Sequence, residues 1–211
     1  MLDLGFIKDI RDLIQYLPRK RQTLFFSATI DDEIKDLAYS LVKNPVRIQV
    51  SPKDPVSKNV DHSVVFVAMD DKRFFLERLV KENPESKILV FVRTKVRCER
   101  VQAAMDRVGV SSVFMHGGKD QQDRMDVLNT FKLGNVKMLI ATDVSARGID
   151  IPDVDFVVNY DLPEHPENYV HRVGRTGRGR KKGLAYAFCD DAERDLLKAI
   201  EDYIQQTCQN P

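Results

Sequence analysis

"KILVFVRTKVRCERVQAAMDRVGVSSVFMH", Lys87 to His116, decides the fold. Its first six residues form an apolar, β-branched run that reads as a strand, Thr94 to Val108 read as a helix, and "SSVFMH" reads as a second strand. A strand, a helix and a strand in some thirty residues is a βαβ unit, and a βαβ unit implies parallel pairing.

The same alternation extends in both directions. Before it stand a strand in "HSVVFVAM" and a helix over Asp71 to Asn83. After it come a helix over Asp120 to Leu133 and strands in "VKMLIAT" and "DFVVNY". A short helix over Pro166 to Val173, a strand in "GLAYAF" and a closing helix over Asp190 to Gln206 complete the series. The fold class is therefore α/β, a mostly parallel sheet flanked by helices. In such sheets ligands collect at the carboxyl ends of the strands.

Upstream the pattern differs. Phe6, Ile10, Leu13, Ile14 and Leu17 recur at helical spacing until Pro18, and Ile34, Leu37, Ala38, Leu41 and Val42 mark a second helix. "QTLFFSAT" and "PVRIQV" read as strands. "SPKDPVSKNV", Ser51 to Val60, carries two prolines, two lysines and little apolar content, and reads as a linker. The organisation expected is residues 1–50, a linker over 51–60, and a domain over 61–207. Two helices and two strands do not close a doubly wound layer. Residues 1–50 are thus expected to be the tail of a preceding domain, either mobile or paired with another copy of the chain.

Bulk composition narrows the class. The 211 residues are 43% hydrophobic, ample for a packed core, and no apolar run is long enough for a membrane span. Cys98, Cys189 and Cys208 are odd in number and far apart, which suits neither a disulfide framework nor a zinc site. Reduced thiols in a cytoplasmic protein, with no metal, are the expectation. The net charge of +1 argues against nonspecific coating of DNA but leaves room for a local anion site.

Three post-strand segments could form such a site: Arg93-Thr94, "HGGKDQQDR" (His116 to Arg124) and "TDVSARGIDIP" (Thr142 to Pro152). Glycines let a backbone approach phosphate closely, and helix N-termini offer free N–H groups. Taken singly, each also reads as an ordinary turn or cap. The stretch "YVHRVGRTGRGRKKG" is less ambiguous. From Arg172 to Lys182 it holds six cations in eleven residues and no acid. Arg180, Lys181 and Lys182 read as a solvated face, whereas Arg172, Arg175 and Arg178 alternate with Gly174, Thr176 and Gly177. Guanidinium groups spaced this way suit bidentate contact with phosphate oxygens.

These residues resemble the motifs of DEAD-box RNA helicases. "HRVGRTGR" (171–178) resembles the sixth motif, "ATDVSARGID" (141–150) the fifth, and "ILVFVRT" (88–94) the fourth, with "HGGKDQQDR" following it and "SAT" (27–29) the third. The wider sequence is similar to bacterial RhlE-type members. The resemblance implies a complete second RecA-like domain preceded by an incomplete fragment of a first. It also implies that Arg175 and Arg178 are arginine fingers on ATP, with Gly148 and Asp150 further nucleotide contacts, Asp150 at the ribose. Ser27, Thr29, His171 and Arg172 would couple the domains, His171 and Arg172 by contacting the first domain. Arg93, Thr94, Gly118, Gln121, Arg124, Thr142, Arg147 and Gly148 would grip RNA backbone without sequence preference. Read from the residues alone, Asp150 also fits a turn, and Gln121 and Arg124 equally fit braces for the helix they begin. The family's phosphate loop and its DEAD tetrapeptide do not occur in the sequence. Magnesium would then belong to the full-length enzyme, and this chain alone is expected not to turn over ATP. A standalone RNA-binding or regulatory module is the alternative.

Overall fold

The computed structural model describes residues 7–26, 32–42, 44–48, 58–146, 151, 154–177, 179, 181–205 and 208. The chain divides into two compact units, Met1–Lys53 and Asp54–Pro211.

The second unit is a six-stranded, wholly parallel sheet. Its strands are β1 (Val60–Phe66), β2 (Ile88–Phe91), β3 (Ser112–Met115), β4 (Met138–Ala141), β5 (Phe156–Asn159) and β6 (Gly183–Cys189), in the spatial order β1-β6-β5-β2-β4-β3. The helices of this unit are α3 (Lys72–Glu82), α4 (Lys95–Arg107), α5 (Gln121–Lys132), the one-turn α6 (Asp143–Ala146), α7 (Pro166–Val173) and α8 (Arg194–Ile204). This is the RecA-like α/β architecture expected. Strand β1 starts at Val60, the last residue of the expected linker.

Alternation along β2 explains the layering. Ile88 and Val90 face one way, with Leu76 of α3 and Cys98, Val101 and Met105 of α4. Leu89 and Phe91 face the other, with Leu128 and Phe131 of α5, Tyr169 and Val173 of α7, and Leu197 and Ile200 of α8. Successive strand side chains point to opposite faces, so a strand covered on both sides must be apolar throughout. Every residue of β2, β4 and β5 is buried.

Helix starts follow local chemistry. The Thr94 hydroxyl accepts from the Arg97 N–H at 3.1 Å to begin α4, and Asp120 accepts from the Asp123 N–H at 2.8 Å to begin α5. Pro166 opens α7, where a missing N–H has no cost. Asp190 and Glu193 cap each other's backbone in a 3₁₀ turn, Asp191–Glu193, ahead of α8.

The first unit contains α1 (Ile7–Gln15) and α2 (Asp32–Leu41). The strands expected in "QTLFFSAT" and "PVRIQV" are not formed over their described parts, residues 22–26 and 45–48. Phe26 is 88% exposed, Val46 85% and Ile48 81%, so these apolar runs cover nothing within the described residues. A strand needs a hydrogen-bonded neighbour, and among the described residues the six paired strands lie between Val60 and Cys189.

The turn after α7 needs glycine for a steric reason. Gly177 has φ +65°, and a Cβ there would lie 2.6 Å from Val60 Cγ2, whereas Gly179 has φ +66° with nothing within 4 Å. Gly179→Ala should cost about 1–2 kcal/mol for the left-handed backbone alone. Gly177→Ala should lose a further ~1–3 kcal/mol from overpacking. Urea unfolding of the two variants measures the difference, and equal losses would remove the clash with Val60 from the account.

Candidate nucleic-acid interface

Strands β2, β4 and β3 are adjacent and in register, with Phe91 opposite Ala141 and Ala141 opposite Met115. The loops that follow them therefore start at one level, side by side along the carboxyl edge. With about 4.8 Å between strands, the three span roughly 10 Å. Thr94 stands exposed at the start of α4, and Gly117 and Gly118 turn the chain into α5.

These loops are tied to one another. The Ser145 hydroxyl lies 2.8 Å from the Met115 carbonyl and 2.8 Å from that of Thr142, and the Thr142 hydroxyl donates to Ser145 Oγ at 3.2 Å. Arg124 of α5 donates to the Ser145 carbonyl at 3.2 Å and to Gln121 Oε1 at 3.5 Å. Arg124 and Gln121 thus brace the start of α5 against α6. The Gly118 N–H donates to Nδ1 of the buried His116 at 3.1 Å, and Nε2 of that ring lies 3.1 Å from Glu99 Oε1.

Arg93 is held from behind. It donates to the Leu162 carbonyl and to Glu193 Oε1, each at 3.0 Å, while its N–H donates to Asp161 Oδ2 at 3.0 Å. The other Glu193 oxygen accepts from Lys72 Nζ at 2.5 Å, and Lys72 also donates to the Tyr160 carbonyl at 2.9 Å. Lys72 is wholly buried, and a charge is tolerated there only because it is paired and hydrogen-bonded. About a third of the Arg93 side chain remains exposed at the loop.

The arginine segment lies elsewhere. Thr176 donates to the Val154 carbonyl at 2.5 Å and pairs with Val154 in a parallel bridge, just before β5 begins. Gly177 packs against Val60, the first residue of β1. Helix α7 therefore carries the chain from the carboxyl edge to the amino edge of the sheet. Arg175 sits in the turn between two anchors, Arg172 and Thr176, each 1% exposed. Its N–H donates to the Arg172 carbonyl, and its carbonyl accepts from the Val154 N–H, both at 3.1 Å.

The guanidinium of Arg172 is directed into its own domain. Nε and Nη2 each donate to an Asp143 carboxylate oxygen at 2.7 Å. Nη1 donates to Asn159 Oδ1 at 3.1 Å and to the Asp161 carbonyl at 2.8 Å. The Phe91 ring lies 5.1 Å from the cation. A fork whose donors are used this way holds its own domain together.

Residues 71–180 match the family described as "Helicase conserved C-terminal domain". The chain belongs to that family, in its DEAD-box RNA helicase branch. It is 42% identical over 205 residues to the ATP-dependent RNA helicase DbpA of Bacillus subtilis, covering 97% of this chain and 43% of that protein. It is 39% identical over 209 residues to the ATP-dependent RNA helicase RhlB of Shewanella amazonensis, covering 98% of this chain and 48% of that one. The chain spans about half the length of the curated relatives it matches. Among solved structures, Saccharomyces cerevisiae Dbp5 L327V bound to RNA and ADP BeF3 superposes with a TM-score of 0.88 at 30% identity, covering 96% of this chain and 54% of that one. A DEAD box protein from the hyperthermophile Methanococcus jannaschii gives 0.71 at 35% identity, covering 100% and 57%. The kinship reaches bacterial DEAD-box helicases broadly and does not single out the RhlE type.

Of the helicase residues expected to meet RNA, Arg93, Thr94, Gly118 and Thr142 fall on the three carboxyl-edge loops, and Gln121 and Arg124 on the first turn of α5 that follows one of them. Thr142 is buried, so its immediate work is in the loop itself. Arg175 is in the amino-edge turn, and His171 is half-buried on α7. Ser27, Thr29, Arg147, Gly148, Asp150 and Arg178 lie outside the described residues. The partners Asp143, Asp161, Lys72 and Glu193 were missed. The available signal was charge balance: an acid-free arginine segment, with Asp143 and Asp161 each following close on a strand.

Burial pushes the Cys98 thiol up to about 12, the Cys189 thiol up to about 11, and raises that of Cys208. None is a nucleophile near neutral pH. Among the described residues no helix is long and apolar enough to cross a membrane, and no cluster of acidic, His or Cys side chains fits a metal ion.

Arg172→Ala strands Asp143 and should destabilise the domain by about 3–5 kcal/mol, the range for breaking a buried pair from one side. Chemical denaturation of the variant measures this. A loss below about 1 kcal/mol would put the pair in the class of surface bridges.

Proposed function

We propose that this chain acts as the second RecA-like domain of an ATP-dependent RNA helicase. It grips one RNA strand by its backbone and offers Arg175 and Arg178 to the γ-phosphate of ATP held on a first domain. The observation that carries the reading is the juxtaposition of the three loops after β2, β4 and β3, two of which end in helix caps.

Two of the loops bring something a phosphodiester uses, the exposed Thr94 hydroxyl and Arg93 guanidinium after β2 and the N-terminus of α5 at Gln121 after β3, while the buried Thr142–Ser145 turn after β4 braces them. Such contacts orient a strand without reading its bases. Preference for RNA over DNA would come from 2′-hydroxyl contacts. The likeness of the chain to Dbp5 bound to RNA and ADP BeF3 supports this reading.

For ATP, the support is preorganisation. Arg175 is flanked by residues fixed on the domain's core, so little backbone freedom remains to be lost when phosphate arrives. An arginine finger contributes roughly 10³–10⁵ in rate, or about 4–7 kcal/mol of barrier. Any magnesium on the nucleotide is assigned to the full-length enzyme. Closure of two such domains on ATP would bend a short duplex and separate its strands.

The test is RNA-stimulated ATP hydrolysis by this chain mixed with a separately produced first domain carrying the phosphate loop. Turnover is expected only in the mixture, and Arg175→Ala should lower it about 10³-fold or more. A working mixture indifferent to Arg175→Ala would remove the finger assignment. A silent mixture in which the chain still binds RNA would favour an RNA-binding module.

A further inference from the structure

Beyond the three loops, the carboxyl edge continues past β2 to β5, β6 and β1. There a cleft of about 310 Å³ opens between α3 and α4, lined by Met69, Asp70, Arg73, Arg97, Arg100 and Tyr160 among others. Arg97 and Arg100 are three apart on α4 and share a face of it, and that helix begins at Thr94, the first of the three loops.

The charge in this cleft is not balanced as it is elsewhere on the same surface. Along α3, Arg78 pairs with Glu82 at 2.7 Å and Lys81 with Glu77 at 2.6 Å. Toward the cleft, Arg97 has Asp161 at 3.5 Å and donates to Met69 Sδ at 3.1 Å. Among the described residues, neither Arg73 nor Arg100 has a carboxylate within ion-pair distance. The Arg73 cation lies 4.5 Å from the centroid of the Phe74 ring. Three guanidinium groups therefore share the cleft lining with a single carboxylate, Asp70. One wall is Tyr160, buried, whose hydroxyl is pushed up to about 12 by that burial. A positive cleft with a low-dielectric wall concentrates its field on an incoming anion.

We infer that this cleft is a phosphate subsite for the RNA strand, occupied by backbone that runs on past the Thr94 loop. The inference rests on the RNA-binding reading above and extends the grip by the reach of Arg73, Arg97 and Arg100. Arg97 is tied to Asp161, so Arg73 and Arg100, both exposed, are the residues to change.

The experiment measures affinity of the 211-residue chain for single-stranded RNAs of increasing length, against Arg73→Ala/Arg100→Ala, with thermal unfolding of both as a folding check. The wild type should keep gaining affinity at lengths where the double variant has stopped gaining. Its salt dependence on the longer RNAs should be steeper by about 0.7 in log K against log salt for each phosphate lost in the variant. Equal length dependence and equal slopes, with short RNA still bound by both, would overturn the subsite and leave the three-loop grip standing. A wild type that binds no RNA of any length would sink the grip and the subsite together. Inorganic pyrophosphate that binds the cleft without any difference in RNA length dependence would assign it to a free anion and overturn the RNA assignment.

Discussion

The buried guanidinium of Arg172 joins the two edges of this domain. It reaches the carboxylate just after β4, the amide that ends β5, the carbonyl just after β5 and the ring that ends β2. It also belongs to the helix whose next turn sets Arg175 at the opposite edge of the sheet. The loop carrying Thr142 and the turn carrying Arg175 are thus two ends of one hydrogen-bonded assembly. Domains of this size are stable by only about 5–15 kcal/mol, so a charge this deeply buried persists only with all its partners in place. That constraint fixes where both candidate surfaces sit.

A second buried assembly repeats the logic on the other side of the sheet. Glu193 accepts from Lys72, Arg93 and the Leu162 N–H at once, bringing the start of α3, the end of β2 and the approach to α8 together. The Arg93 head is thereby oriented by a residue a hundred positions away in sequence. Neither assembly adds much net stability over an apolar core of the same shape. What they supply is direction: arginines aimed by carboxylates rather than left to sample solvent.

Much of the fold was legible in the residues. The runs in "ILVF", "MLIA" and "FVVN" are apolar throughout because helices cover both their faces, and Pro166 marks the start of α7. The reading failed where a strand's existence depends on a neighbour, as in "TLFF" and "VRI", whose apolar side chains are largely exposed. It also passed over α6, a single turn too short to show a period. At the site, the loops were legible from glycines and hydroxyls after strands. The burial of Arg172 was not, because in sequence it is one more cation in a basic run.

The most direct test of the central claim is amide hydrogen exchange of the chain with and without single-stranded RNA at low salt. The account predicts slowed exchange confined to the carboxyl edge, at Thr94 to Arg97, Gly117 to Asp123 and Thr142 to Ala146, with Arg175 to Gly177 unchanged while nucleotide is absent. Slowing centred on the amino edge, or none in those three loops despite bound RNA, would contradict it.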